Sequence, residues 1–113
     1  MTSNVNPAAG HAVRIGDGRI VLPQATYALY MGGAGSAALI ERDGECYLVP
    51  LSGPVAGGML LKQRNREGDR VVLAEDFLAA RGLGRFSAER AFAVRWAAEA
   101  GALLIEGLGA IVP

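Results

Sequence analysis

The sequence is poor in the residues that catalysis and metal binding most often use. It has one histidine, His11, and one cysteine, Cys46, among 113 residues. It therefore cannot form an intrachain disulfide or an ordinary zinc site. Ser36 and Ser52 have no partner base that the sequence suggests, and the carboxylates are scattered. We expect no enzyme activity, no metal and no cofactor, with Cys46 as a small core residue and His11 exposed to solvent.

Net charge and long apolar segments are also lacking. Eleven basic residues balance eleven acidic ones, which argues against a protein that grips nucleic acid by overall charge, although a local basic face stays compatible with this balance. No run reaches the roughly 18 apolar residues that a membrane-spanning helix requires. With one cysteine and no apolar signal segment in the first residues, the sequence predicts a reducing, cytoplasmic location.

What the chain has in quantity is apolar side chains and glycine. Apolar residues make up 51% of the sequence, and there are 16 glycines. The apolar fraction is enough to form a core without disulfides, and the number of glycines predicts many turns and short elements. A chain of this length is one domain, or two small halves that share a core. Because a small domain leaves much surface in water, a homodimer is compatible with this composition.

The stretch "HAVRIGDGRIVLP" predicts two short strands, 12–15 and 19–22, joined by a tight turn at Gly16-Asp17-Gly18, since Asp and Gly accept positive φ angles. Pro23 ends the second strand because it cannot donate to a ladder, and it can begin a short helix. Gly32 and Gly33 then close that helix. The next stretch, "SAALIERDGECYLVPL", predicts a second hairpin with Asp43-Gly44 at its tip.

The same order of elements recurs in the second half of the chain. Aligned by eye, Arg19–Leu22 lies over Arg70–Leu73, and Gly44 lies over Gly101. A short helix follows each strand, and in the second half Glu75 begins it, at its positive end. The pattern predicts an internal duplication with these parts: a flexible N-terminal arm 1–11, a first repeat 12–51, a Gly/Pro linker 52–58, a second repeat 59–106 and a C-terminal tail 107–113.

Residues 87–100 allow two interpretations. Ser87 as an N-cap, abundant alanine and Gly101 as a stop favour a helix. As a strand, the segment would place Phe92, Val94 and Trp96 on one face. Alignment with the first repeat favours the strand, which is the interpretation we prefer.

The "GRIVLP" core, the short helix and the hairpin with an acidic residue and glycine at its tip resemble the swapped-hairpin domain of the AbrB, MazE and SpoVT group. Two such units in one chain resemble the MraZ architecture. The likeness implies a mainly β fold with short helices, in which two units related by a pseudo-twofold axis form one intertwined barrel. It implies a shared core built from Ile20, Val21, Leu22, Leu39, Ile40, Tyr47, Leu48, Val71, Val72, Leu73, Val94, Trp96, Leu103 and Leu104.

The resemblance also implies DNA binding through basic hairpins, as in a small transcriptional regulator or antitoxin-like module. The residues expected to reach the DNA are Arg14, Arg19, Lys62, Arg64, Arg66 and Arg70. One departure weakens that expectation, since Tyr27 stands where DNA-binding members usually carry a further arginine. The alternative is a protein-interaction or assembly factor on the same fold that does not bind DNA, with a toxin-like protein or a larger enzyme as its partner.

Overall fold

The computed structural model describes residues 11–53 and 58–111. The strands are β1 Ala12–Gly16, β2 Arg19–Leu22, β3 Ser36–Arg42, β4 Glu45–Leu51, β5 Met59–Leu60, β6 Lys62–Gln63, β7 Arg70–Leu73, β8 Arg90–Ala97 and β9 Ala102–Ile105. The helices are α1 Gln24–Tyr30 and α2 Glu75–Ala79, and a 3-10 turn spans Leu108–Ala110. The predicted arm, except for His11, the middle of the predicted linker and the end of the predicted tail lie outside the described residues.

The predicted turns are present and have the expected backbone. Asp17 and Gly18 have φ of 52° and 74°, and Asp43 and Gly44 have φ of 54° and 79°. Positive φ at both central residues is the requirement of the tight hairpin turn that matches the twist of the strands. Pro23 is the residue that caps the start of α1, between β2 and the helix.

The strands form one nearly closed antiparallel barrel, in the order β5-β3-β4-β9-β8-β1-β2-β7-β6. The two ends of this order, β5 and β6, are consecutive in the chain and are separated only by Leu61. The chain therefore runs directly from one end of the strand order to the other and closes the barrel there. Leu61, between the two strands, is buried. The mainly β barrel that the sequence predicts is confirmed.

The two halves of the chain are interleaved. Of the eight strand pairings, four lie within a half and four join the halves, namely β1 with β8, β2 with β7, β3 with β5 and β4 with β9. The hairpin β8–β9 is thus inserted between β1 and β4, and β3–β4 is inserted between β5 and β9. Neither half contains a closed sheet of its own.

The pairing registers are approximately twofold symmetric, with the pairs Ile20–Val72 and Tyr47–Leu104 at the two centres. The 57-residue separation of Tyr47 and Leu104 is the separation of Gly44 and Gly101, so that part of the alignment is consistent. Ile20 and Val72 are 52 positions apart, however. Arg19 and Arg70, which the sequence alignment treats as equivalent, are separated by 51 positions.

The alignment of Arg19 with Arg70 is therefore wrong by one residue. Side chains alternate along a strand, so a shift of one residue moves each side chain to the other face of the sheet. Arg19 pairs with Leu73 on the outer face, whereas Arg70 pairs with Leu22, which is fully buried. The symmetry partner of Arg19 is Val71, not Arg70.

The core lies inside the barrel and is closed by residues from the helices and the 3-10 turn. Its fully buried large side chains come from both halves: Val13, Ile15, Ile20, Leu22, Leu48, Val72, Leu78, Leu103, Ile105 and Leu108. Three residues predicted for the core are exposed instead, Ile40 by 40%, Leu73 by 57% and Trp96 by 37%. Ile40 and Leu73 fall on the outer face, and Trp96 stacks on Tyr30 with parallel rings 6.4 Å apart.

Residues 90–97 are a strand, as the alignment with the first repeat predicts. Phe92 and Val94 are buried and the residues between them are exposed. β8 pairs with β1 on one side and with β9 on the other. Two ladders of backbone hydrogen bonds outweigh the helix propensity of an alanine-rich segment, because propensity is a weak preference that tertiary pairing overrides.

Candidate nucleic-acid interface

Four adjacent strands, β1, β2, β7 and β6, present basic side chains on the outer face of the barrel. Arg14 pairs with Val21, Val21 pairs with Val71, and Val71 pairs with Lys62. Directly opposed residues of antiparallel strands point to the same face. Arg14 and Lys62 therefore stand on either side of two valines, about 14 Å apart at three interstrand spacings of roughly 4.8 Å.

Two more cations belong to this face. Arg19 lies two residues before Val21 on the same strand, so the strand alternation directs it the same way. Arg64 lies two residues after Lys62, just beyond β6, where its N–H donates to the Asp69 carbonyl at 2.7 Å and continues the β6–β7 pairing. Both are exposed. We call the set of Arg14, Arg19, Lys62 and Arg64 the basic face. The structure thus brings together four of the six residues that the sequence predicts for DNA binding.

Two carboxylates lie beside the basic face. Glu89 approaches Arg14, with 3.5 Å between Oε1 and Nε, and both side chains are substantially exposed. Asp69 accepts hydrogen bonds from the Asn65 side chain and from the Gln24 backbone N–H, which lower the pKa of its carboxyl below the ordinary value. Glu67 is also exposed, in the loop that carries Arg64, so four cations stand against three carboxylates and the face keeps a small net positive charge.

The loop between β6 and β7 carries Arg64 and Arg66 and is held by Asn65. The Asn65 Oδ1 accepts hydrogen bonds from the backbone N–H groups of Gly68 and Asp69, both at 3.1 Å. The Asn65 Nδ2 donates to Asp69 Oδ2 at 3.0 Å. Asp69 Oδ1 in turn accepts from the Gln24 N–H at 2.8 Å, which joins the loop to the start of α1. Arg66 is exposed in this ordered loop.

Arg70 differs from the other predicted residues. Its guanidinium lies over the Tyr27 ring, 4.4 Å from the centroid, and its Nη1 donates to the Leu61 carbonyl at 3.5 Å. Its Nε is buried and has no hydrogen-bond partner among the described residues. Arg70 therefore packs against the start of α1 and is not part of the basic face. Tyr27, the residue at which this chain departs from the resemblance, is the ring on which Arg70 rests.

The β1–β2 turn is docked on another segment of the chain, although Asp17 itself stays exposed. The Asp17 N–H donates to Ser87 Oγ at 3.0 Å, and the Phe86 N–H donates to Asp17 Oδ1 at 2.9 Å. Gly16 lies against the backbone of Glu89, so closely that a Cβ would come within 2.7 Å of the Glu89 Cα. Residues 84–89, the docking loop, thus fix this turn. No sequence pattern predicts that the docking loop contacts the β1–β2 turn, since the two segments are about 70 positions apart.

Cys46 and His11 are the single cysteine and the single histidine of the sequence, the residue types that catalysis often uses. Cys46 is buried, as expected, and burial raises the pKa of its thiol despite the nearby Arg81. His11 is half-buried, not exposed as the sequence predicted. Its Nδ1 lies 3.2 Å from Thr26 Oγ1, and its ring meets Tyr30 edge-on at 5.7 Å. Within 11–53 and 58–111, no three His, Cys, Asp or Glu side chains converge as a metal site would require.

Searches of protein-family models, curated proteins and solved structures each gave no match to this chain. In the part of the chain that the structure describes, neither short helix approaches the length and hydrophobicity needed to span a bilayer. Because no match suggests a function, the function is inferred from the geometry of the site.

Proposed function

We propose that this protein is a small cytoplasmic DNA-binding module that resembles the AbrB and MraZ proteins and holds the DNA backbone on its basic face. The single observation that carries the proposal is that Arg14, Arg19, Lys62 and Arg64 project from one face of four adjacent strands. The interleaved, approximately twofold strand order supports the resemblance.

The width of the basic face constrains how DNA would lie on it. At about 14 Å between β1 and β6, the four strands are broader than the roughly 12 Å major groove, which admits a helix or a two-stranded ribbon. The β1–β2 turn is also hydrogen-bonded to the docking loop, so it would have to separate from that loop before it could enter a groove. The basic face would therefore lie across phosphates, a mode that gives affinity with little sequence readout.

Salt dependence tests this mode directly. Four phosphate contacts predict that the logarithm of the association constant falls with the logarithm of salt concentration with a slope of roughly −3.6. Fluorescence anisotropy with a labelled 20-base-pair duplex would measure it. Lys62→Ala should weaken binding and make the slope shallower by about 1, since one phosphate contact is lost.

Arg95→Ala is the matched control for Lys62→Ala. Arg95 is exposed on β8, where it pairs with Leu104 of β9, and it lies four positions, roughly 13 Å along the strand, from Ala91, the residue opposite Arg14. It should leave affinity and slope unchanged. Equal effects of the two variants, or no binding at low ionic strength, would reject the basic face as a DNA site.

A second function is favoured by a specific observation. Leu73 is 57% exposed and Leu60 is 67% exposed, and the strand alternation places them side by side on the outer surface, next to Arg19. Exposed neighbouring leucines are typical of a protein-binding surface. We propose as the alternative that this surface docks a protein partner, such as a toxin-like protein or an enzyme under assembly.

The two functions separate in a single affinity-capture experiment from the native host. If protein docking is the function, Leu73→Asp should lose a defined protein partner, whereas Lys62→Ala should retain it. If DNA binding is the function, Lys62→Ala should lose co-purifying DNA, whereas Leu73→Asp should retain it.

A further inference from the structure

Phe86 is the most exposed large apolar side chain among the described residues, at 90%. Its φ is 67°, in the left-handed region that bulky side chains rarely adopt. A glycine would adopt this backbone conformation without strain. Because the ring is exposed and buries little surface, Phe86 does not stabilise the fold better than a glycine would. Such a combination persists where the surroundings fix it, and it is commonest at functional sites.

Hydrogen bonds on both sides of Phe86 hold it in this conformation. Its own N–H donates to Asp17 Oδ1 at 2.9 Å. The next residue, Ser87, accepts from the Asp17 N–H through Oγ and donates through the same oxygen to the Gly84 carbonyl at 2.8 Å. The backbone that carries the ring is therefore held in place in the docking loop, and the ring projects from it into solvent.

One arginine lies beside the ring, and the nearby carboxylates of Asp17, Glu75 and Glu89 are engaged in hydrogen bonds or ion pairs. The Arg85 guanidinium is 5.5 Å from the Phe86 ring centroid and forms an ion pair with Glu75 at 3.3 Å. The docking loop reaches the basic face at Glu89, which pairs with Arg14. The ring thus stands at the end of the basic face, beyond the β1–β2 turn.

We propose that Phe86 is a stacking platform for an unpaired nucleobase of a nucleic acid whose phosphates lie on the basic face. This inference rests on the proposed DNA-binding function and specifies its ligand as DNA with an unstacked base. An exposed aromatic ring beside cations is the arrangement that single-strand binding uses, because every base offers a π face and every nucleotide a phosphate. Affinity gained in this way depends little on sequence.

Three duplexes of equal length would test the inference with the full chain: one fully paired, one with a single unpaired base, and one in which that nucleotide is abasic. Anisotropy at one fixed salt concentration would compare them. The unpaired base should bind roughly 10-fold more tightly than the paired duplex. The abasic duplex should lose that gain, because its phosphates are unchanged and only the base is missing.

Variants assign the effect to the ring. Phe86→Ala should bring the affinity for the unpaired base down to that for the paired duplex, and Phe86→Tyr should keep the preference. Leu29→Ala is the control, since Leu29 is an exposed apolar residue of α1 and should change neither affinity.

The outcomes separate this inference from the proposed function. Equal binding of all three duplexes by the wild-type chain would overturn the stacking role and leave phosphate binding intact. A preference that survives Phe86→Ala would also overturn it. Failure to bind any of the duplexes at low ionic strength would overturn both. The comparison of duplexes uses the wild-type chain, so it decides the question even if Phe86→Ala does not fold.

Discussion

At the scale of single residues, Asp69 connects the candidate site to the fold. Its carboxylate accepts from the Asn65 side chain in its own loop and from the Gln24 N–H at the start of α1. Pro23, which precedes α1, provides no side-chain cap. Asp69 therefore satisfies one of the free N–H groups of that helix from a loop 45 positions along the chain, and it also places a negative charge at the positive end of the helix dipole.

The charge of this carboxylate should make stability depend on pH, and replacing it should remove that dependence. The folded protein holds the pKa of Asp69 below its ordinary value. The stabilisation is therefore fully present above the unfolded-state pKa, about 3.9, and is lost as the pH falls through the lower folded-state pKa. Asp69→Asn should lower the free energy of unfolding by up to about 1 kcal/mol at pH 7, because it removes a negative charge from the positive end of the helix dipole.

Urea denaturation at pH 7 and at successive values below pH 4 would measure this difference. The gap between wild type and Asp69→Asn should narrow as the wild-type carboxylate becomes protonated. Asp43→Asn, at the exposed turn between β3 and β4, is the control and should show no comparable gap. A gap for Asp69→Asn that stays constant with pH would contradict the role given to its charge.

At the scale of elements, the β1–β2 hairpin and the docking loop form one unit. The turn is bonded to Ser87 and Phe86, and the backbones of Gly16 and Glu89 are in close contact. Gly16 has no side chain because the other chain segment occupies that space. This contact also sets the position of Glu89 beside Arg14 and of Phe86 beyond the turn.

A methyl group at Gly16 should force these elements apart. Its Cβ would lie 2.7 Å from the Glu89 Cα and 3.0 Å from the Glu89 N, which are backbone atoms that cannot rotate away. Gly16→Ala should therefore lower the free energy of unfolding by about 1–3 kcal/mol, the usual cost of overpacking. Chemical denaturation would measure the loss.

Gly35→Ala is the control for Gly16→Ala, since a Cβ there meets no atom within 4 Å and the backbone is not left-handed. It should be neutral or slightly stabilising, by up to about 1 kcal/mol, because alanine restricts the unfolded chain. Similar losses for the two variants would show that the contact between Gly16 and Glu89 is looser than the structure places it.

At the scale of the whole molecule, the four pairings that join the halves are the basis of stability. The buried core draws on both halves, and each inserted hairpin has a strand of the other half on both sides. A separate half would expose strand edges and apolar faces that no other element of that half covers. The covalent connection keeps the second half at a high effective concentration for the first.

Cutting the chain between Gly53 and Gly58 should therefore leave two fragments that do not fold separately. Circular dichroism of each fragment should show little β structure, and an equimolar mixture should regain the spectrum of the intact chain. Thermal unfolding of the mixture should depend on concentration, because folding has become bimolecular. A stable, cooperatively melting single fragment would contradict the interleaved core.

The sequence by itself determined the local structure. Asp-Gly pairs require hairpin turns, a proline after an apolar triplet ends a strand, and glycines with positive φ end helices; each of these is a property of a few neighbouring residues. The order of these signals, repeated in both halves, was enough to predict an internal duplication and a strand within residues 87–100, and the family resemblance implied the barrel. The resemblance also named the four residues of the basic face, together with Arg66 and Arg70, which do not belong to it.

Only the tertiary structure decided which residues face each other. Arg19 and Arg70 look equivalent in sequence, but a one-residue difference in pairing register puts them on opposite faces, and register is set by burial on both sides of the ladder. The docking of Phe86 and Ser87 on Asp17, and of Asp69 on Gln24, joins segments 45 or more positions apart. No local pattern encodes such contacts, because they exist only once the barrel has closed.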